Sequence, residues 1–283
     1  MPFMPSMPDT PTDIHKAPNL RHPTSRGSIR LKSFLHQSMR WAAVLTVAFT
    51  ATACARLATI DSNALWKIVD VRCVPSQQAT DTPGQCTLVN LDKRYVILKD
   101  ILGPSQHLLI PTDRITGIES PLVLAPNAQD YWADAWGSRQ YVEQSLKRSL
   151  PDNLLGLEIN AESRRSQNQL HIHIDCMRGD VSEALARHAN DATGVWQWDT
   201  LDGNRYRIMR ITSLTQGDNP FQIVARDNPH SDAMAMQTIL VTAAGPSAKK
   251  DGWLIVNSGI DVDNGSGSAE SLLDHACRVA NAQ

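Results

Sequence analysis

Residues 166–176 read Ser-Gln-Asn-Gln-Leu-His-Ile-His-Ile-Asp-Cys. From Leu170 onward, aliphatic residues alternate with three titratable ones, His171, His173 and Asp175. A period of two is typical of a β-strand with one buried face, so the aliphatic side chains belong in a core and the titratable ones share the opposite face. Three titratable groups side by side are costly to bury unless they bind or react with something. The sequence therefore predicts a functional site on this strand.

The composition of the 283-residue chain is ordinary for an α+β protein, and its hydrophobic fraction of 42% is enough to build a core. The formal net charge is −2. The chain thus lacks the basic excess that is typical of nucleic-acid-binding proteins, and we expect no nucleic-acid partner.

The N-terminal part of the chain differs from the rest. Residues 1–38 are rich in Pro, Ser, Thr and Asp without periodicity, which indicates a disordered leader. Residues 41–55 are uncharged and follow a basic flank, as in a secretory signal, so residues 39–61 are predicted to be a signal or membrane-anchor segment. A lipoprotein, an uncleaved anchor and a cleaved signal all remain open. Residues 62–283 are then the folded domain, outside the inner membrane.

The chain has five cysteines, and Cys54 stands apart from the others at the end of the apolar segment. No CxxC pair occurs, which argues against a zinc ribbon. Export favours two disulfides, although four cysteines allow three connectivities. We expect Cys73–Cys86, which closes a short loop, and Cys176–Cys277, which ties the central strand to a C-terminal helix.

The remaining pattern predicts an antiparallel sheet with flanking helices. Strands are expected at residues 86–90, 94–99, 107–111, 157–160 and 169–175, with additional C-terminal strands at 221–226, 237–243 and 252–257. Helices are expected at residues 127–150, from Asp180 onward, and at 269–280, while residues 64–73 fit either helix or strand. The fold class is therefore α+β.

Three interpretations of the central strand compete. Its polar residues could simply face solvent. Alternatively, His-x-His-x-Asp opens the zinc motif of the metallo-β-lactamase fold, but Cys176 stands where a further His normally follows, and distant ligands such as His188, His230 or His275 lack a motif. Finally, a histidine could attack phosphorus without a metal, with cations supplied by Arg164, Arg165 and Arg178.

The third interpretation is supported by a resemblance to the histidine triad family. His171-Ile-His173-Ile-Asp175 resembles the motif His-φ-His-φ-His, with Asp in place of the third His. In triad hydrolases an Asn lies eleven residues before the first His and a Gln four before it; Asn160 and Gln167 have these spacings. The resemblance implies a histidine-triad-like core in which His173 is the nucleophile, while His171 and Asp175 orient it and assist the leaving group.

Longer blocks of sequence resemble the bacterial CDP-diacylglycerol pyrophosphatase family. They are Cys73-Val-Pro, Leu98-Lys-Asp, Leu108-Leu-Ile-Pro-Thr, residues 114–121 and residues 166–176. The resemblance implies hydrolysis of CDP-diacylglycerol to CMP and phosphatidate, without cofactor or metal, by an enzyme anchored at the bacterial inner membrane with a periplasmic catalytic domain. One departure is Arg165, which stands where the family has a Gly-Arg pair.

The same resemblance implies which residues contact the substrate. Asp100 would bind the ribose hydroxyls, and further contacts would come from Lys99, Asn160, Gln167, Asn168, Arg164 and Arg178. Two other functions stay open: a zinc-dependent phosphoesterase that uses His-x-His-x-Asp, and an envelope lipoprotein that binds nucleotides or lipids without turnover.

Overall fold

A computed structural model describes residues 61–215, 217–260 and 267–281. In these ranges the chain forms one nine-stranded sheet in which every neighbouring pair is antiparallel. The strands are β1 Leu88–Asn90, β2 Tyr95–Lys99, β3 His107–Pro111, β4 Leu155–Ile159, β5 Ile172–Cys176, β6 Trp196–Leu201, β7 Asn204–Ile211, β8 Gln237–Ala243 and β9 Trp253–Gly259. Their spatial order is β1-β2-β3-β5-β4-β8-β9-β7-β6, so β5 lies inside the sheet.

Helices flank this sheet. They are α1 (residues 64–80, with a π-helical middle at Ile68–Cys73), α2 Pro121–Leu124, α3 Tyr131–Gly137, α4 Gln140–Leu146, α5 Gly179–Leu185, α6 Pro220–Asp227, α7 Ser231–Ala235 and α8 Ala248–Asp251. Short 3₁₀ turns occur at Asp152–Leu154, Glu162–Arg164, Ala186–His188, Glu270–Leu272 and Arg278–Asn281. The described residues thus have the predicted α+β fold, with an antiparallel sheet and flanking helices.

The largest core cluster covers one face of the sheet. Ile172 and Ile174 of β5 pack there with side chains of α3, α4 and α6, including Trp132, Val142 and Phe221. These residues are fully buried. The aliphatic half of the central strand is therefore in the core, as its alternation predicts.

Two smaller apolar clusters lie apart from this large core. One joins Val69 of α1 to Leu98 and Leu108 of β2 and β3, and the other joins Val181 of α5 to Leu240 of β8. Strands β5 and β4 lie between β3 and β8 in the sheet, so residues of β5 and β4 separate the two clusters.

Two disulfides are present among the described residues, and they are the two expected pairs. Cys73 is joined to Cys86 with a Cα–Cα distance of 5.7 Å, and Cys176 is joined to Cys277 with 5.3 Å. The second links the end of β5 to the C-terminal segment. Both distances lie in the ordinary range for disulfides.

One predicted strand is wrong, because residues 221–226 belong to helix α6. The side chain of Asn219 accepts a hydrogen bond from the backbone nitrogen of Phe221, and Pro220 occupies the first turn. Asn at the N-cap followed by Pro is a helix-start signal, and it outweighs the short apolar run that suggested a strand.

The predicted C-terminal helix at 269–280 is also wrong. That segment contains only the two 3₁₀ turns, because its middle pairs with the end of β5. The backbone nitrogen of Asp274 donates to the oxygen of Cys176, and Leu273 forms an isolated bridge with Met177.

The predicted helix at 127–150 is divided into α3 and α4. Residues 64–73, which fitted either state, are helical.

The sequence interpretation missed the hairpin of β6 and β7. Its turn contains Asp202 and Gly203, both with positive φ. Asp-Gly between strands is a strong hairpin signal that was present in the sequence.

In the described ranges no helix is long and apolar enough to cross a membrane. The predicted leader at 1–38, and the signal or anchor segment at 39–61 except for its last residue, lie outside these ranges.

We predict that both disulfides stabilise the folded domain, and unequally. Replacing Cys176 and Cys277 by Ser should lower the free energy of unfolding by about 4–5 kcal/mol, and replacing Cys73 and Cys86 by about 3 kcal/mol, because the longer closed loop restricts the unfolded chain more. Denaturant unfolding measures both values. Peptide mapping under non-reducing conditions is the control, and four free thiols at these positions in the purified protein would contradict the prediction.

Candidate active site

The site lies where polar side chains interrupt an apolar row across the sheet. Strand register places His173 of β5 beside Leu108 of β3 on one side and beside Glu158 of β4 on the other. Glu158 is followed by Leu240 of β8, and Leu240 by Val256 of β9. Residues opposite each other on neighbouring strands share a face of the sheet, so His173 and Glu158 project into the space between the two smaller apolar clusters.

A cavity of about 460 Å³ opens beside His173. Its walls come from α1, from the end of β2 and the loop after it, from the loop that precedes β5, and from Glu270 in the C-terminal segment. The lining residues are Ala64, Leu65, Ile68, Leu98, Lys99, Asp100, Ile101, Leu102, Leu108, Asn160, Arg164, Arg165, Ser166, Gln167, His171, His173 and Glu270. Ionisable groups therefore face an apolar wall.

His173 is connected to Asp100 through Gln106. Its Nδ1 lies 2.6 Å from Nε2 of Gln106, and the same amide nitrogen donates to Oδ2 of Asp100 at 3.0 Å. Burial lowers the pKa of His173. The ring is therefore neutral near pH 7, which is the form that has a lone pair available for a nucleophilic attack.

His171 is a second neutral imidazole at the same wall. Its Nδ1 donates to the backbone oxygen of Gln169 at 2.7 Å, which leaves Nε2 with the lone pair. Burial, followed by the charge of His173, lowers the pKa of His171 to about 4. The two rings meet edge to face with centroids 5.1 Å apart.

Asp175, the third polar residue of the motif, is directed to His275. Its Oδ2 accepts a hydrogen bond from Nδ1 of His275 at 2.8 Å, and its Oδ1 accepts one from the backbone nitrogen of Cys176. Nε2 of His275 lies 3.4 Å from Oε1 of Glu270. The hydrogen bonds to Asp175 and then Glu270 raise the pKa of His275 to about 10, so this imidazole is charged near pH 7.

Glu270 connects His275 to the nucleophile candidate. Its Oε1 lies 3.9 Å from Nδ1 of His173, and its Oε2 accepts a hydrogen bond from the amide of Asn160 at 3.0 Å. The hydrogen bond from His275 is the main cause that lowers the pKa of Glu270 to about 2. Glu270 is therefore a carboxylate beside His173.

Glu158 is a buried carboxyl group whose pKa is shifted in the direction opposite to that of Glu270. It is completely buried, Oε1 accepts a hydrogen bond from the hydroxyl of Thr238, and Oε2 has no partner in the described structure. Burial, followed by the charge of Glu270, raises the pKa of Glu158 well above its usual value. Among the described residues, Glu158, His173 and Glu270 are the set whose ligand atoms lie within 4.8 Å of one another and could hold a metal ion. This set is not the motif triplet His171, His173 and Asp175.

Arg165 is held at the cavity wall by Glu119. Its two terminal nitrogens donate to the two carboxylate oxygens at 2.7 and 2.8 Å, and its side chain is only 5% exposed. Gly117 leaves room for this pair, since a Cβ there would lie 2.1 Å from the guanidinium. Glu119 is thus the partner of a buried arginine.

Most of the predicted site residues share the cavity. His171, His173, Asp100, Lys99, Asn160, Gln167 and Arg164 line it, whereas Asp175 lies behind it. Lys99 donates to the backbone oxygens of Asp100 and Gly103 and thus stabilises the loop at the rim.

Two predicted substrate contacts do not line the cavity. Arg178 is drawn away by ion pairs with Asp180 and Asp202. Asn168 is an exposed residue whose backbone nitrogen donates to the oxygen of Ser62. Substrate contact by these two residues stays a prediction.

Three residues of the site were missed, namely Gln106, Glu158 and Glu270, and His275 was considered only as a distant zinc ligand. The sequence contained a usable signal for Glu158. A carboxylate between Leu157 and Ile159 in a predicted strand is costly to bury unless it is paired or has a function. The other three are in loops without a motif.

Comparisons with known proteins show which family the chain belongs to. The family model for CDP-diacylglycerol pyrophosphatase (CDH) matches residues 60–281. A CDP-diacylglycerol pyrophosphatase of Yersinia pestis is 37% identical over 222 residues, which cover 77% of this chain and 85% of the relative. The resemblance drawn from the sequence blocks is thereby confirmed. The chain belongs to the CDP-diacylglycerol pyrophosphatase family.

Proposed function

We propose that this chain hydrolyses CDP-diacylglycerol to CMP and phosphatidate, with His173 as a covalent nucleophile. The observation that carries the proposal is the pair of neutral imidazoles, His171 and His173, at the wall of a cavity that also has an apolar side. Family membership supports the substrate. An amphipathic pyrophosphate needs a polar reaction centre next to an apolar surface, and the cavity offers both.

The nucleotide half of the substrate is assigned to the Asp100 side. One oxygen of Asp100 accepts a hydrogen bond from the backbone nitrogen of Leu102 at 3.1 Å, and the other accepts one from Gln106. These contacts fix the carboxylate while it still lines the cavity. A fixed carboxylate is a suitable acceptor for the two ribose hydroxyls, and binding there places the cytidine-side phosphorus near His173.

The lipid half is assigned to the apolar mouth of the cavity. Ile101 is 97% exposed and Leu102 48% exposed, and both line the cavity together with Leu65 and Ile68 of α1. Large apolar side chains that are exposed next to a binding cavity indicate contact with an apolar ligand or surface. Acyl chains of the substrate and the surrounding membrane lipid fit this position.

The reaction follows from the neutral state of His173. A ring nitrogen forms a bond to the cytidine-side phosphorus, and the bond from that phosphorus to the bridging oxygen breaks, so phosphatidate leaves with the oxygen. Water then attacks the CMP-histidine and releases CMP. Lys99 and Arg164 at the cavity wall supply positive charge near the phosphates, and His171 is placed to exchange a proton through its Nε2.

We further propose that the chain works at the bacterial inner membrane, with residues 39–61 as signal or anchor and the catalytic domain in the periplasm. The presence of two disulfides supports an oxidising compartment. The apolar mouth of the cavity supports work at a lipid surface.

The first prediction tests the function itself. Purified protein should release CMP from CDP-diacylglycerol, and the rate should not change after dialysis against EDTA. The measurement is chromatography of CMP over time. A zinc-dependent phosphoesterase would lose activity in EDTA and recover it with Zn²⁺. A lipoprotein that only binds the substrate would release no CMP in either condition.

The second prediction concerns the nucleophile. His173→Ala should lower kcat by at least about 10⁴-fold, whereas His171→Ala should lower it by about 10²-fold, because only the first change removes the attacking atom. Rapid quenching with labelled substrate should trap a protein adduct in the wild type and none in His173→Ala. His230→Ala, which alters an exposed histidine away from the cavity, is the control. An adduct mapped to His171 would reverse the assignment.

The third prediction concerns the lipid half. The double change Ile101→Ser with Leu102→Ser should slow hydrolysis of long-chain substrate in vesicles by at least about tenfold, because burying one such side chain contributes roughly 1.5–3 kcal/mol. Hydrolysis of a soluble short-chain analogue should fall much less. Val195→Ser removes a similarly exposed apolar side chain outside the cavity and should change neither rate. Equal losses on both substrates would count against a lipid contact.

A further inference from the structure

We infer that His275 is a positioning residue for this reaction, and that it supplies the imidazole which the motif His171-Ile-His173-Ile-Asp175 lacks at its third position. The inference rests on the proposed function, because it assigns a role in the same chemistry. It rests on contacts that join His275, from the C-terminal segment, to the central strand.

The contacts of the ring favour its charged form. Nδ1 donates a hydrogen bond to a carboxylate oxygen of Asp175 at 2.8 Å, and Nε2 is 3.4 Å from a carboxylate oxygen of Glu270. Two carboxylates beside the two ring nitrogens stabilise the imidazolium form, which has an N–H on each nitrogen. His275 thus places a positive charge between two carboxylates.

This positive charge determines whether Glu270 stays ionised beside His173. Three carboxyl groups surround the nucleophile candidate: Glu158, Asp175 and Glu270. Like charges so close repel each other, and burial adds to the cost. His275 offsets two of them and keeps Glu270 ionised, 3.9 Å from Nδ1 of His173. Without His275, Glu270 would take up a proton or turn to solvent.

Glu270 matters at the moment of attack. When a nitrogen of His173 bonds to phosphorus, the ring becomes positively charged. The Glu270 carboxylate lies 3.9 Å from Nδ1, beyond hydrogen-bond distance, and stabilises this positive charge by electrostatic attraction. His275 thus acts on the nucleophile through Glu270, and not by touching the substrate.

The fold holds His275 firmly in this place. Cys277, two residues later, is bonded to Cys176, which directly follows Asp175. The backbone nitrogen of Asp274 donates to the oxygen of Cys176 at 2.8 Å. On the other side, Gly103 packs against the carbonyl oxygen of His275, where a Cβ would come within 2.1 Å. Disulfide, backbone hydrogen bond and glycine all converge on this residue.

The side chain of His275 is 34% exposed, so a small molecule can reach the space it occupies. This allows a test by chemical rescue. In His275→Ala, kcat for CMP release should fall by about 10²-fold, as expected when a reacting group is misplaced, while KM changes less than about threefold. Added imidazole should restore part of kcat. Pyrazole, a ring of the same size that stays neutral near pH 7, should not.

Two further variants sharpen the test. Glu270→Gln should lose kcat to the same extent, and imidazole should not rescue the double variant His275→Ala with Glu270→Gln, because the cation acts through the Glu270 carboxylate. His230→Ala is the matched control and should keep the wild-type kcat. If His275→Ala does not fold in a thermal unfolding scan, His275→Gln takes its place. Gln keeps a donor for Asp175 but has no charge, and its kcat should still fall about 10²-fold.

Several results would overturn the inference. They are a wild-type kcat in a folded His275 variant, equal rescue by pyrazole and imidazole, or a KM that rises while kcat is unchanged. Failure of the proposed function looks different, since the wild-type protein itself would then release no CMP.

Discussion

The site depends on the difference between the two faces of strand β5, one aliphatic and one titratable. One side of the strand contributes Ile172 and Ile174 to the main core, and this packing fixes the backbone. Because the backbone is fixed, the positions of His171, His173 and Asp175 on the other side are fixed as well. A shift of one residue in register would bury the titratable groups in the core and expose the aliphatic ones, at a cost that no single contact could offset. The chemistry is therefore stabilised by the same alternation that stabilises the sheet.

Local patterns predicted those parts of the protein that depend on neighbouring residues. Alternation identified β5, short apolar runs indicated β3 and β8, and the spacing of residues around the two histidines suggested Asn160 and Gln167. The missed members of the site are connected by sheet register and by loops. Glu158 faces His173 only because β4 pairs with β5, and Glu270 and His275 arrive from about a hundred residues downstream. No local sequence pattern around Glu158, Glu270 or His275 indicates these long-range contacts. The pairing of the C-terminal segment with the end of β5 also prevents that segment from forming the predicted helix.

The three histidines show how position decides protonation. His171 and His173 are buried beside groups that leave them neutral, whereas His275 lies between two carboxylates and is charged. The pKa of His275 is raised in the folded state, so its ion pairs stabilise the fold fully below the ordinary histidine pKa and less as pH rises toward about 10. Glu270 behaves in the opposite sense. Its lowered pKa gives stability above the ordinary glutamate value, and that stability is lost as pH falls toward about 2.

The late position of Glu270 and His275 has a consequence for biosynthesis. The last described strand ends at Gly259, so all nine strands of the described sheet are synthesised before the residues that complete the site. Glu270, His275 and Cys277 come after it. A chain that is interrupted between these points could fold its sheet and present both motif histidines, but it would lack the groups that complete the site around them. The order of residues along the chain thus makes completion of the site depend on residues that are synthesised after the sheet.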